Sequence, residues 1–163
     1  MKEFVNWGHS YIIDFTITIN KGYTPEDHLA NVFHMTADGD NEKYGDRIPA
    51  VYANKNGTFR IDMSMGLMTP DGPKRKNLKW SYNLRLGVQY QITVQQYQES
   101  GIYKYEILVD DISKLKEQNY IPTSFPSVKF YQSDSYMDSF NSDWGKICNL
   151  RITGMAMRIK SIL

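Results

Sequence analysis

The chain is poor in the residues that would tie it to several large function classes. It has one cysteine, Cys148, which excludes an intrachain disulfide. Its three histidines, His9, His28 and His34, are too scattered to read as a metal set. No run approaches the roughly 20 apolar residues of a membrane-crossing helix. The opening MKEFVNWGHS lacks the apolar stretch of a signal peptide. The net charge is +1, so no global field draws nucleic acid or an anionic membrane. Helical periodicity of useful length, internal repeats and low-complexity linkers are all missing from the sequence.

What is present points to strands. At 163 residues the chain is long enough to bury a sizeable core, and it reads as one domain over 1–163. Aromatics make up 13% with 12 tyrosines, a bias that suits pleated, half-buried surfaces. Tyr11, Ile13, Phe15, Ile17 and Ile19 alternate with Ile12, Asp14, Thr16 and Thr18, which is a strand with one buried face. Phe59, Ile61, Met63 and Met65 alternate with Arg60, Asp62 and Ser64. Tyr103, Tyr105, Ile107 and Val109 return antiparallel to Tyr90, Ile92 and Val94 after the turn at Glu99-Ser100-Gly101. Asn56-Gly57 makes a tight turn between strands. Pro70-Asp71-Gly72-Pro73 predicts a loop over 69–77, with the basic run Lys74-Arg75-Lys76 inside it. Ile112–Gln118 reads as a short helix of about two turns. Cys148, Leu150 and Ile152 read as the inward face of a late strand, and 155–163 as a last strand or docked arm. This pattern predicts an all-β, antiparallel β-sandwich of jelly-roll type.

The polar candidates concentrate in two loops. Asp38, Asp40, Asn41, Glu42 and Asp46 lie within nine positions, dense enough in hard oxygen donors for calcium. The alternative is a solvated loop whose Asp and Asn side chains form turns with their own backbone. Asp46 and Arg47 have a structural reading, as loop anchors. Arg47 also has a ligand reading, as a fork for a carboxylate. The second loop, FYQSDSYMDSFNSDWG, mixes Tyr131, Tyr136, Phe140 and Trp144 with Ser, Asp and Asn. Aromatics stack on apolar faces of sugars while Asp and Asn take hydroxyls, although such a loop can also pack its rings on the core edge.

Four places resemble a known family. They are Asn31-Val32-Phe33-His34, Tyr44-Gly45-Asp46-Arg47-Ile48-Pro49-Ala50, Tyr105-Glu106-Ile107-Leu108-Val109-Asp110 and Gly145-Lys146-Ile147-Cys148-Asn149-Leu150-Arg151-Ile152. Together they resemble the concanavalin A-like, laminin-G-type jelly rolls of invertebrate extracellular proteins. The resemblance implies a binding or adhesion module for glycans or glycoprotein surfaces, sometimes with calcium. Departures are plain. No strand carries the closely spaced acids of a glycosidase of this fold, and no lyase constellation of basic, glutamine and tyrosine residues is visible. His34-Met35-Thr36-Ala37-Asp38 does not match a galectin motif.

The expectation is therefore a non-catalytic, lectin-like module. Its ligand site comprises Asp38, Asp40, Asn41, Asp46, Arg47, Tyr136 and Trp144, with Asp38, Asp40 and Asp46 as calcium candidates and no cofactor required. The alternative is a structural or adhesive assembly protein without a pocket. A glycan or glycoprotein surface is the expected partner, with self-association open and neither nucleic acid nor membrane insertion expected. An extracellular domain shorn of its leader fits the sequon Asn56-Gly57-Thr58, with an intracellular location as the other reading.

Overall fold

The computed structural model describes residues 2–20, 29–37, 39, 43–132, 138–154 and 158–161. Among these, the strands are β1 (Lys2–Trp7), β2 (Tyr11–Ile19), β3 (Ala30–Thr36), β4 (Ala50–Ala53), β5 (Thr58–Thr69), β6 (Gly72–Asn83) and β7 (Gln89–Glu99). They continue with β8 (Ile102–Val109), β9 (Ile112–Gln118), β10 (Phe125–Tyr131), β11 (Asp138–Ser139), β12 (Gly145–Gly154) and β13 (Arg158–Ser161). The larger sheet runs β13-β1-β10-β3-β4-β5-β6, with β11 added parallel to β3. The smaller sheet runs β12-β2-β7-β8-β9. No helix occurs among the described residues.

The core lies between the sheets, where the alternation placed it. Tyr11, Ile13, Phe15, Ile17 and Ile19 of β2 are buried, as are Phe59, Ile61, Met63 and Met65 of β5. Burial of that apolar surface is the main favourable contribution to the fold. Trp7 also turns inward. A positive φ at Asn6 reverses the alternation of β1, so Phe4 and Trp7 both reach the core three residues apart.

Three segments differ from the sequence reading. Ile112–Gln118 is a strand, not a helix. Asp110 and Asp111 both have positive φ, which suits a two-residue hairpin turn and sends β9 back along β8. Residues 72–77 are not loop. Only Pro70 and Asp71 turn, and β6 pairs with β5 from Thr69↔Gly72 to Thr58↔Asn83, so the basic run lies on an exposed strand. Cys148 is not on the inward face. A bulge with Asn149 at positive φ shifts the register, so that Ile147, Leu150 and Ile152 pack on the core while Cys148 is half-buried opposite Thr16.

The segment after β9 is pinned on β5 at Gly66. The Gly66 N–H donates to Asn119 Oδ1 at 2.8 Å, and the Tyr120 N–H donates to the Gly66 carbonyl at 2.9 Å. A Cβ at Gly66 would lie 2.4 Å from the Ile121 backbone nitrogen. Gly66→Ala is expected to cost about 1–3 kcal/mol by overpacking. A urea midpoint equal to wild type would show that 119–121 is free to withdraw from β5.

Candidate functional site

The outer face of the larger sheet carries an unusual amount of buried polar surface. Direct strand pairing puts Tyr131, His34, Ala50, Asp62 and Lys79 in one row across β10, β3, β4, β5 and β6. A second row runs Asn31, Tyr52, Arg60 and Ser81. Ordinary outer faces of sandwiches are wet. Here His34, Asn31, Asp62 and Ser64 are all buried, and Tyr52 is only 3% exposed.

Residues 43–49 are inlaid between β3 and β5 and place Arg47 over this face. The Ile48 N–H donates to the Met35 carbonyl at 2.7 Å, and the Ser64 N–H donates to the Arg47 carbonyl at 2.8 Å. Arg47 Nη1 then reaches Asp62 Oδ2, whose side chain is wholly buried. Arg60, two residues before Asp62 on the same strand face, grips the same carboxylate from the other side. Its Nε donates to Oδ1 at 2.7 Å and its Nη2 to Oδ2 at 2.6 Å. Both guanidinium groups also address the Tyr52 ring, Arg47 at 6.0 Å and Arg60 at 5.6 Å from its centroid. The result is an Arg47–Asp62–Arg60 cluster seated on Tyr52. Ser64 Oγ donates to Asn77 Oδ1 at 2.8 Å and accepts the Gly45 N–H at 3.1 Å. His34 Nε2 is hydrogen-bonded to the Asp46 carbonyl. In the core, Tyr105 comes from β8 of the smaller sheet, and burial first, then Tyr11 and Asp62, push its phenol well above its ordinary range.

The sequence-predicted site residues fall in different places. Asp38, Asp40, Asn41 and Tyr136 lie outside the described residues. Asp46 is buried, and its carboxylate accepts the Gly39 N–H at 3.2 Å and the Lys43 N–H at 2.8 Å, as a turn former does. Of the calcium candidates it alone is described, and among the described residues no group of three or more His, Cys, Asp or Glu is placed to hold a metal ion. Arg47 makes the structural contact, to Asp62. Trp144 is 9% exposed, with Lys55 Nζ 4.8 Å over its ring. Asp46 and Trp144 are not brought together. Gly45, the neighbour of Asp46, accepts from Thr36 and Ala37 at the end of β3, whereas Trp144 closes the turn whose Phe140 N–H donates to the Asn31 carbonyl at the strand's start. Tyr52, Arg60 and Asp62, which the loop-centred reading passed over, form the cluster with Arg47 instead, and Asn31 pairs with Tyr52 in the same row.

No protein-family model matches the chain. A search of curated proteins also found no match. Solved structures do match. An endo-β-1,4-glucuronan lyase of the fungus Trichoderma reesei superposes with a TM-score of 0.56 at 8% identity, covering 90% of this chain and 69% of the other. The fold is a jelly-roll β-sandwich. Human galectin-16 (TM-score 0.49, 9% identity, 94% of each chain) and sheep galectin-11 (0.48, 9%, 94% of this chain and 96% of the other) also align.

Proposed function

We propose that the protein binds carbohydrate without transforming it, on the outer face of the larger sheet. The observation that carries this reading is the buried polar cluster on that face: Arg47, Arg60 and Asp62 over Tyr52, with Asn31, His34 and Ser64 beside them. Burying ions and amides is costly, and a sandwich folds as well with apolar or solvated residues there. Such a cluster fits a ligand rather than the fold. Its mixture of fixed donors and acceptors suits hydroxyls, which both donate and accept. Except for Arg47, which comes from the inlaid 43–49 segment, the side chains stand on strands, and Arg47, Arg60 and Asp62 hold one another, which favours a preorganised site.

The non-catalytic part of the reading rests on how the titratable groups are engaged. Asp62 is held by two arginines, and His34 is committed to the Asp46 carbonyl, which leaves neither as a ready general base. The fungal lyase of this fold acts on a glucuronan. That likeness speaks for the fold, while the carbohydrate reading here stands on the side chains. We extend it to a glycoprotein or cell-surface partner of an extracellular, laminin-G-like adhesion module, with calcium as an optional ligand of the 38–46 loop.

A glycan array in calcium and in EDTA tests the proposal. Wild type is expected to bind a narrow set of glycans. Arg60→Ala, which removes a side chain 25% accessible at the rim, is expected to weaken binding about tenfold, the loss of a charged hydrogen bond. Equal signals in both buffers would remove calcium and leave the glycan reading intact. A blank array with concentration-dependent association in sedimentation would replace it with the structural, assembly-protein alternative.

A further inference from the structure

A cleft enters between the two sheets at the edge where β12 faces β1 and β10. It comprises two adjoining recesses of about 290 and 110 Å³, which share Lys2, Phe130 and Leu150 in their walls. Lys2, Phe4 and Phe130 line it from the larger sheet, and Ile147, Leu150 and Ile152 from the smaller. Those three aliphatics of β12 pack on the core yet stay partly accessible. The β12–β2 ladder is interrupted beside them, between Cys148 and Arg151, with Asn149 at positive φ. A bulge of this kind bends a strand and re-aims its side chains. Protein interiors are otherwise close-packed, with few voids larger than a water molecule. Lys2 is the decisive residue. It pairs with Phe130 as Phe4 pairs with Val128, and those three partners are all buried, so Lys2 starts from the inward face of β1. The residue is nevertheless exposed, as a lysine is when its stem lies on apolar surface and its ammonium reaches water. Among the described residues no carboxylate pairs with that ammonium. An apolar side chain at this position would help close the cleft, whereas lysine places a positive charge at its mouth.

We propose that this cleft binds an amphipathic carboxylate, an unbranched aliphatic acid whose chain lies between Phe130 and Leu150 and whose carboxylate meets Lys2. The exposed amides of Gln132 and Asn149 line the same recess as Lys2 and can donate to the second carboxylate oxygen. A charged donor at the mouth favours an acid over the alcohol of equal length, because a charge-assisted hydrogen bond is about twice as strong as a neutral one. At about 30 Å³ for each water-sized group, the two recesses together hold about ten to thirteen non-hydrogen atoms, the size of decanoate. The cleft lies inside the sandwich and the Arg47–Asp62–Arg60 cluster on the outer face of the larger sheet, so the acid does not compete with a glycan.

Cys148 reports on occupancy, since it is the single cysteine of the chain and lines the larger recess. Alkylation of this thiol by iodoacetamide is followed with decanoate, decanol and decyltrimethylammonium, each below its micellar concentration, and thermal melts are run with the same three compounds. Decanoate is expected to protect the thiol and to raise the melting temperature. Decanol should need about tenfold more for the same protection, the loss of a charged hydrogen bond, and the cation should give none. Lys2→Met keeps an apolar stem and is expected to bind decanoate only as well as decanol, with decanol unchanged. Leu150→Trp, which fills the recess, should lose both. Should Leu150→Trp fail to fold, decanoate against decanol on wild type and Lys2→Met still decides. If decanoate neither protects Cys148 nor shifts the melt, the cleft is a packing gap and the proposal is overturned. If decanoate and decanol act alike on wild type and Lys2→Met changes neither, Lys2 anchors no carboxylate and the proposal is likewise overturned.

Discussion

Asp62→Ala is expected to lower the unfolding free energy by about 3–5 kcal/mol in urea, the effect of removing one member of a buried ion cluster. The side chain of Asp62 is wholly buried and shared by Arg47 and Arg60. Without it, a buried guanidinium and a half-buried one lose the acceptor that holds them together over Tyr52. Asp62→Asn keeps the volume and one acceptor, so its effect should be smaller. The double variant Asp62→Leu with Arg47→Met should recover much of the loss, because two apolar side chains of similar size need no charge compensation. Its glycan binding should remain lost. A single Asp62→Ala variant within about 0.5 kcal/mol of wild type, the range of an ordinary surface change, would show that the cluster carries no structural weight.

The cluster explains how the sequence could be read correctly for fold and incompletely for site. Alternation along β2, β5, β7 and β8 is a direct consequence of the two-residue period of a strand, and the inward sets are buried as expected except at Tyr90 and Tyr103 near the strand starts, which are half-buried. The same alternation also lists the outward set, Arg60, Asp62 and Ser64 on β5. What it does not list is which neighbours stand beside them. Tyr52 and Asn31 meet Arg60 only through the pairing of β3, β4 and β5, and Arg47 arrives from an inlaid loop that has no period. A charged triplet spread over sixteen positions looks like three surface residues until the register is known. The loop acids, by contrast, are adjacent in sequence and attract attention, yet the described one, Asp46, is spent on its own backbone.

The misread elements share a cause as well. β9 buries little, with Leu115 turned toward the core and its neighbours exposed, so an edge strand carries no more periodic signal than a short polar helix. β1 and β12 each contain a residue at positive φ, Asn6 and Asn149, that shifts the inward side chains out of strict alternation. Asparagine tolerates that conformation better than other side chains, and it is the visible trace of both irregularities. The register shift itself is a property of the paired strands, not of either sequence alone.

Phe15→Ala is expected to cost about 3–5 kcal/mol, as the truncation of a fully enclosed phenyl ring does. Phe15 is at 0% exposure in the middle of β2, where Ile92 of β7 lies opposite. Its ring meets Phe33 of the other sheet edge-to-face, with centroids 5.2 Å apart and planes at 86°, and approaches Phe59 at 6.3 Å. Those rings stand on β3 and β5, the strands that carry Asn31, His34, Arg60 and Asp62 on their opposite faces. The cavity left by Phe15 therefore opens directly beneath the polar cluster. Phe15→Leu keeps most of the volume and should cost a fraction of the alanine change. Thr18→Ala, a half-buried outward position on the same strand, should stay within about 0.5 kcal/mol of wild type. Urea melts of the three variants, with the slope of the transition unchanged, would separate core packing from changes in the denatured state. Equal midpoints for Phe15→Ala and Thr18→Ala would mean that the faces of β2 are reversed, and with them the assignment of β3 and β5 on which the cluster depends.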